Sequence, residues 1–322
     1  MTRPRFSYTD MRPLRIAQEM DVSIIIPTLN EAANLPPLLS RIDKAMVGRT
    51  YEVIIVDDNS QDDTQAVCTH LAASYPLRLI VRKLPLGGLS GAVLRGMKKA
   101  RGTELVVMDA DLQHPPESIP ALLTALKAGA RFALGSRYIR GGKTGAGWGK
   151  WRRLNSGVAT LLAKPFTGHI CDPMSGFFAL SAETFRRAVK LNPVGYKIAL
   201  ELLCKCGIPC VFEVPISFGC RAAGESKLTW RQRVKFVQHL GRLYAFKFPR
   251  VAFVMKCTAA ALISAAFATA TNPRMLPLIG VWAVVATAYA TRANRPQPKP
   301  IGWGEDREMD LRPKIAAAGL AA

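Results

Sequence analysis

The sequence predicts an α/β fold: a mostly parallel sheet covered on both faces by helices, followed by an α-helical transmembrane hairpin. Three observations lead there. Between residues 22 and 134, short unbroken runs of Val, Ile and Leu alternate with stretches of helical spacing. Unbroken apolar runs belong to strands buried on both faces, as in parallel sheets. The runs at 53–56 and 105–108 lead directly into carboxylates, Asp57-Asp58 and Asp109, at strand ends where open α/β sheets bind ligands. Finally, an acid-free region from residue 226 to 304 holds two apolar stretches of membrane length.

Each element follows in order. Residues 1–20 carry Arg3, Arg5, Arg12 and Arg15 without the apolar run of a secretory signal, and read as a flexible extension. Val22–Pro27 is the first strand. Glu31–Met46 has helical spacing, with Leu35, Leu38, Leu39 and Ile42 on one face. Val53–Val56 is a strand, Thr64–Ser74 a helix, Leu79–Val81 a strand and Ser90–Ala100 a helix. Leu105–Met108 is a strand, Ile119–Ala128 a helix and Phe132–Leu134 a strand. The α/β domain is expected over 21–229.

Trp230–Phe248 mixes aromatic and aliphatic residues with Arg231, Arg233, Lys235, Arg242 and Lys247, so 230–250 reads as a basic amphipathic helix at a membrane interface. Val251–Thr271 is interrupted only by Lys256, which lies near its start and can snorkel. Asn272-Pro273-Arg274 turns the chain, and Met275–Thr291 carries no charge. Residues 251–291 are therefore read as a two-helix transmembrane hairpin. Lys247 and Arg250 before it, and Arg292, Arg295 and Lys299 after it, place both ends in the cytoplasm. The tail, 292–322, is polar and Pro-rich and is expected to lack structure.

The 322 residues include 44 Lys+Arg against 23 Asp+Glu, a net charge of +21. Such an excess suits nucleic acid, an anionic membrane or a phosphorylated substrate. Its distribution decides: the charge flanks membrane-length segments and no nucleic-acid motif accompanies it, so nucleic acid is excluded. A second acid-free stretch, 118–171, holds nine Lys or Arg. The seven Cys are an odd number, consistent with reduced cytoplasmic thiols. Cys204, Cys206 and Cys210 lie in an apolar segment and read as buried small hydrophobes rather than metal ligands.

Asp109-Ala110-Asp111-Leu112-Gln113 is the central constellation. Two carboxylates one residue apart at a strand end can converge on a hard cation, with Gln113 as a neutral oxygen. Mg²⁺ or Mn²⁺ is the cofactor expected. Asp57 is favoured over Asp58 as a ribose or base ligand, Asp58 being read as a cap for the helix at Thr64. Arg137, Arg140, Lys143, Lys150, Arg152 and Arg153 lie among Gly141, Gly142, Gly145, Gly147 and Gly149, as in a mobile phosphate-binding lid. His114 and His169 read as structural.

Seven motifs in order resemble the family-2 glycosyltransferases of GT-A fold, most closely polyprenyl-phosphate (dolichol-phosphate) mannose synthases. They are Pro27-Thr28-Leu29-Asn30-Glu31, Val56-Asp57-Asp58-Asn59-Ser60, the glycine-rich Leu86–Gly96, Asp109–Gln113, Gly135-Ser136-Arg137-Tyr138, Asp172-Pro173-Met174-Ser175-Gly176-Phe177 and Arg221 through Lys227. The resemblance implies a Rossmann-like GT-A catalytic domain. It implies that Pro27, Glu31, Ile55 and Asp57 hold the donor nucleoside, with Leu29 at the position where many members have Tyr. Asp109, Ala110, Asp111 and Gln113 would surround the metal and diphosphate. Arg137, Arg221 and Lys227 would bind phosphates, and Arg137, Arg152 and Ser156 the acceptor phosphate. Phe178 stands where many members have Arg.

The expected reaction is inverting transfer of mannose from GDP-mannose to a polyprenyl phosphate at the cytoplasmic membrane face. Asp109–Gln113 leaves open a UDP-glucose or other UDP-sugar donor with undecaprenyl phosphate as acceptor. A non-catalytic sugar-nucleotide-binding membrane protein is disfavoured by the intact Asp109/Asp111 pair. Assembly as a homo-oligomer is left open.

Overall fold

The structure, a computed structural model, describes residues 20–144, 150–188, 190–192, 194–208, 210–219 and 230–250, with 252, 253, 257–260, 263 and 307–309. Four strands alternate with four helices at its centre: β1 (Val22–Thr28), α1 (Leu35–Ala45), β2 (Tyr51–Asp57), α2 (Thr64–Leu71), β3 (Leu77–Val81), α3 (Gly88–Lys99), β4 (Glu104–Val107) and α4 (Ile119–Lys127). Then come β5 (Phe132–Ser136), α5 (Lys150–Thr167), β6 (Phe178–Ser181), α6 (Ala182–Arg186), α7 (Ile198–Lys205), β7 (Val211–Pro215), α8 (Trp230–Lys247) and β8 (Arg307–Met309). The sheet order is β7-β5-β6-β4-β1-β2-β3-β8. Neighbours are parallel except that β6 runs against β4 and β5, and β8 against β3.

The alternation of side chains along a strand explains the unbroken apolar runs. Ile24, Ile26, Val53 and Ile55 enter a core shared with α1, α2 and α4. Ile25, Ile54 and Val56 face the opposite side, against α3 and α7. Full burial of each such side chain is worth about 1.5–3 kcal/mol. Each strand is thus held from above and below, and its carboxyl end is fixed in position. The ends of β1, β2, β4, β5 and β7 share one edge, and the segment leading into β6 begins there too.

Several elements differ from the sequence reading. The first helix starts at Leu35, not Glu31, with Pro in its first turn; residues 31–34 instead turn at the open edge. Lys150, Arg152 and Arg153, read as part of the basic loop, lie on helix α5. The glycine-rich lid from 145 to 149 lies outside the described residues. A third core joins α5, α7 and α8 through Ala163, Met174, Leu200, Cys204, Leu240 and Leu243. Cys204 and Cys206 are buried and Cys210 is exposed. Among the described residues no group of three or more His, Cys, Asp or Glu is disposed to hold a metal.

The basic amphipathic helix is present as α8. The hairpin at 251–291 falls outside the described residues except for 252, 253, 257–260 and 263. Among the described residues no helix is long and apolar enough to cross a membrane. The tail, expected to lack structure, supplies β8, which pairs with the edge strand β3 through Val81 and Arg307.

Candidate active site

Three loops meet at the carboxyl edge, after β1, β2 and β4. Each contains a non-glycine residue in the left-handed region: Asn30 at φ 54°, Asn59 at 60° and Leu112 at 63°. Such conformations cost energy and persist where surrounding bonds over-determine them. Those bonds are present. Asn30 N–H donates to Ser60 Oγ at 2.8 Å, Gln61 N–H to Asn30 Oδ1 at 2.9 Å and Glu31 N–H to Thr64 Oγ1 at 3.0 Å. Asn34 Nδ2 in turn fixes the Glu31 carboxylate at 2.7 Å.

Asp57 is fully buried at the end of β2. Its carboxylate accepts from Ser60 N–H at 3.0 Å, Gln65 Nε2 at 3.1 Å, Thr28 Oγ1 at 3.4 Å and Ser60 Oγ. It therefore organises the first two loops, and a nucleoside would reach it only by exchanging one of these bonds. Asp58 does not cap the helix at Thr64, as the sequence suggested. Asp62 does so, its Oδ1 accepting from Thr64 N–H at 3.1 Å. Asp58 instead accepts from Arg82 Nε at 2.7 Å. The buried Arg82 guanidinium also donates to Leu86 O and Gly88 O at 3.0 Å each, and so shapes the glycine-rich entry to α3.

Asp109 and Asp111 follow β4. The Asp109 side chain is 37% exposed, whereas Asp111 is buried with Oδ1 accepting from Gln113 N–H at 3.1 Å. Gln113 Nε2 donates to Gly219 O at 3.2 Å, and Gly219 N–H returns a bond to Gln113 O at 2.9 Å. The Gln113 amide oxygen is thereby left as the atom to meet a cation. Two carboxylates and an amide oxygen fit a Mg²⁺ or Mn²⁺ ion that keeps waters and substrate phosphates in its shell. His114 is buried beneath, stacked on Phe177 with ring centres 5.3 Å apart. Its Nδ1 accepts from Asp109 N–H at 3.0 Å. Burial pushes its pKa down against the pull of Asp109 and Asp111, so a neutral ring supports the Asp109 backbone. Gly176 closes the floor: a Cβ there would lie 3.3 Å from His114 Cε1 and 3.4 Å from Asp109 Oδ2.

Arg137 follows β5. Its Nε and Nη2 donate to the two oxygens of the fully buried Asp172 at 2.6 and 2.7 Å. Burial disfavours the guanidinium charge, but Asp172 outweighs that and raises the pKa. Glu213 on β7 anchors the Asp172 segment by accepting from Cys171 and Asp172 N–H at 2.8 and 3.0 Å. Beyond Arg137 opens a cleft of about 880 Å³, lined by Tyr138, Lys143, Thr160, Leu161 and Lys164 among others.

The remaining residues divide clearly. Pro27 is buried in β1, and Leu29 is 40% exposed just beyond it. Ile55 and Ala110 lie in the core, at 0% and 3% exposure, and offer a ligand no side-chain surface. Phe178 is fully buried and stacks on Phe132, so this position serves packing. Arg152 and Ser156 lie on the α5 backbone, but their side chains are outside the described residues, as are Arg221 and Lys227 entirely. Sequence reasoning missed Arg82, Asp172 as the partner of Arg137, and Lys197, whose Nζ donates to Met174 O at 2.7 Å. The motif containing Asp172 was visible; its pairing was not.

The pattern of glycosyl transferase family 2 matches residues 23–187. A dolichol-phosphate mannosyltransferase of Pyrococcus furiosus is 48% identical over 227 residues, 70% of this chain and 64% of that protein. One from Mycosarcoma maydis is 43% identical over 242 residues, 72% of this chain and 82% of that protein. Among solved structures, glucosyl-3-phosphoglycerate synthase from Mycobacterium tuberculosis with Mg²⁺ and uridine diphosphate gives a TM-score of 0.55 at 22% identity. That match covers 71% of this chain and 79% of that one, and the likeness is of a GT-A-like α/β fold. A family pattern that covers half the chain, with 43–48% identity to relatives of one kind, places this chain in the family-2 glycosyltransferases, as an enzyme of the dolichol-phosphate mannosyltransferase type.

Proposed function

We propose that the enzyme transfers mannose from GDP-mannose to a polyprenyl phosphate, with inversion, at the cytoplasmic face of a membrane. The relatives' names support the sugar and the lipid phosphate. The observation that carries the reading is one edge with two parts. Asp109 and Asp111 stand at the end of β4, close enough to Arg137 for Asp109 to raise its pKa, and a basic cleft opens behind Arg137.

The chemistry needs little more. A lipid phosphate is already ionised at neutral pH, so its oxygen needs no strong base. Arg137, aimed by Asp172, would hold that phosphate, and Lys143 and Lys164 would add charge along its path. Glu31 and the loop ordered by Asp57 would seat the nucleoside. The enzyme then aligns acceptor oxygen and anomeric carbon, a task of positioning and electrostatics. A divalent ion held by Asp109, Asp111 and Gln113 would supply charge to offset the departing diphosphate.

The test is transfer from radiolabelled GDP-mannose and UDP-glucose, in parallel, to a polyprenyl phosphate with and without EDTA. Label from GDP-mannose alone, lost with EDTA, is expected. Asp111→Asn should lower the rate at least about a hundredfold, the scale of several kcal/mol of lost charge stabilisation. Transfer from UDP-glucose alone would overturn the donor, and full activity of Asp111→Asn in EDTA would overturn the metal.

A further inference from the structure

Outside the active site, a buried group of titratable side chains lies between α7 and α8. Glu201 on α7 is 1% exposed, yet three groups converge on its carboxylate. Lys205 Nζ lies 2.6 Å from Oε1, Asn192 N–H donates to Oε1 at 2.8 Å, and His239 Nε2 on α8 lies 2.6 Å from Oε2. An ionised carboxylate only accepts, so His239 donates through Nε2. His239 Nδ1 is buried with no hydrogen-bond partner among the described residues. Such a cost is tolerated where the other bond matters. Lys205 also donates to Lys190 O at 2.9 Å and stands over the Phe246 ring of α8 at 5.4 Å.

The loop joining α6 to α7 leads from this cluster to the site. Asn192 is held by Glu201. Three residues later, Gly195 O accepts from Ser90 N–H at 3.1 Å, in the first turn of α3. Lys197 then donates to Met174 O at 2.7 Å, in the segment between Asp172, which aims Arg137, and Gly176, which abuts Asp109. One buried carboxylate thus joins α8, the glycine-rich entry to α3 and the wall behind Arg137.

We propose that Glu201 is a positioning residue for sugar transfer: it locks α8 to the α6–α7 loop, and through that loop holds the walls of the site at Ser90 and Met174. The proposal rests on the transfer reaction above and adds to it a dependence on the docking of α8. Burial alone opposes the Glu201 charge, but His239 and Lys205 outweigh burial and hold its carboxyl below the usual range, in keeping with a working ion pair.

The test uses the full chain, a short polyprenyl phosphate and GDP-mannose. Glu201→Gln should lower kcat about tenfold with a smaller rise in the nucleotide-sugar KM, because it loosens the walls at Ser90 and Met174 while the bonds within the Asp57 loop stay in place. Amide exchange at Ser90 and Asn192 should accelerate, with β1 and β2 unchanged. His239→Leu, which removes the donor, should behave likewise; His239→Gln, which can restore an N–H at that reach, should stay close to wild type. These two variants decide the matter if Glu201→Gln fails to fold. A Glu201→Gln protein with lower thermal stability but wild-type kcat and Ser90 exchange would overturn the proposal. So would equal behaviour of His239→Leu and His239→Gln. Exchange needs no substrate, so it judges this inference even if the wild-type enzyme proves to use another sugar.

Discussion

Arg137 keeps its charge throughout the accessible pH range, so the protein controls its direction rather than its ionisation. Asp172 does this with a two-point contact that a lysine cannot reproduce. Arg137→Lys should therefore keep the cation and lose the fork. Transfer efficiency should fall about ten- to a hundredfold, chiefly in the acceptor term, with a modest loss of thermal stability. Wild-type kinetics for lipid phosphate in this variant would remove Arg137 from the acceptor site. The same residue shows what the sequence reveals. Asp109, Asp111 and Arg137 were legible because each follows an apolar run that must be a strand. Asp172 and Arg82 were not legible as partners, because each meets its counterpart only when distant strand ends come together. Asp57 was legible as important but not in its local duty, which depends on three neighbours folding back upon it.

The glycine-rich entry to α3 joins left-handed backbone at Gly87 and Gly88 to a close approach at Gly91. A Cβ at Gly91 would lie 2.1 Å from Leu86 O and 2.8 Å from Arg82 Nη1. Gly91→Ala must displace the turn that Arg82 and Asp58 hold, at a cost of about 1–3 kcal/mol, and should raise the nucleotide-sugar KM. Gly241 in α8 is the counter-case, where an added Cβ would meet nothing within 4 Å; Gly241→Ala should stabilise the protein by up to about 1 kcal/mol. Urea melts of both variants check the contrast. Elements β1 to β5 were legible because both faces of each strand are apolar. The half-exposed β7 lacks that pattern, and α5 was masked by its basic start and by Pro165 near its end. The junction of α7 with α8 also carries a pH signature. The Glu201 carboxyl is held below its usual range in the folded protein. On acidification the unfolded chain takes up that proton first, so the contribution of Glu201 is whole above the ordinary value, about 4.3, and is lost as pH falls through the folded one. Glu201→Gln should be less stable than wild type by about 3–5 kcal/mol at pH 7, and the gap should narrow below about pH 4.3. A gap that is independent of pH would show that the loss comes from packing.

At the scale of the whole molecule, the two long helices that pack into the third core combine exposed apolar residues with a basic sequence. α5 exposes Val158, Leu161 and Leu162, and α8 exposes Val234 and Val237. The two helices touch where Tyr244 donates to Leu162 O at 3.0 Å and where Phe166 meets Tyr244 edge-on at 4.6 Å. Both helices carry basic residues and no acidic ones, and a basic side chain near an anionic leaflet is worth about 1 kcal/mol. On the reading proposed above these two helices would meet the lipid surface, and α5 also lines the cleft behind Arg137. Electrostatic contact alone would be reversed by salt or high pH; a hydrophobic hairpin at 251–291 would not. The intact protein is therefore expected to stay with the membrane pellet after a carbonate wash, whereas a chain ending at Pro249 should be released. The shortened chain keeps α8 and its lock on α7 and loses from the sheet only the three-residue edge strand β8, so nucleotide binding should persist. Transfer to long polyprenyl phosphates should fall more than transfer to short soluble analogues, because the long tail stays in the bilayer and must be met there. Recovery of the intact protein in the carbonate-soluble fraction would refute the hairpin. Equal loss on long and short acceptors would mean that residues beyond 249 support the fold and do not deliver the lipid.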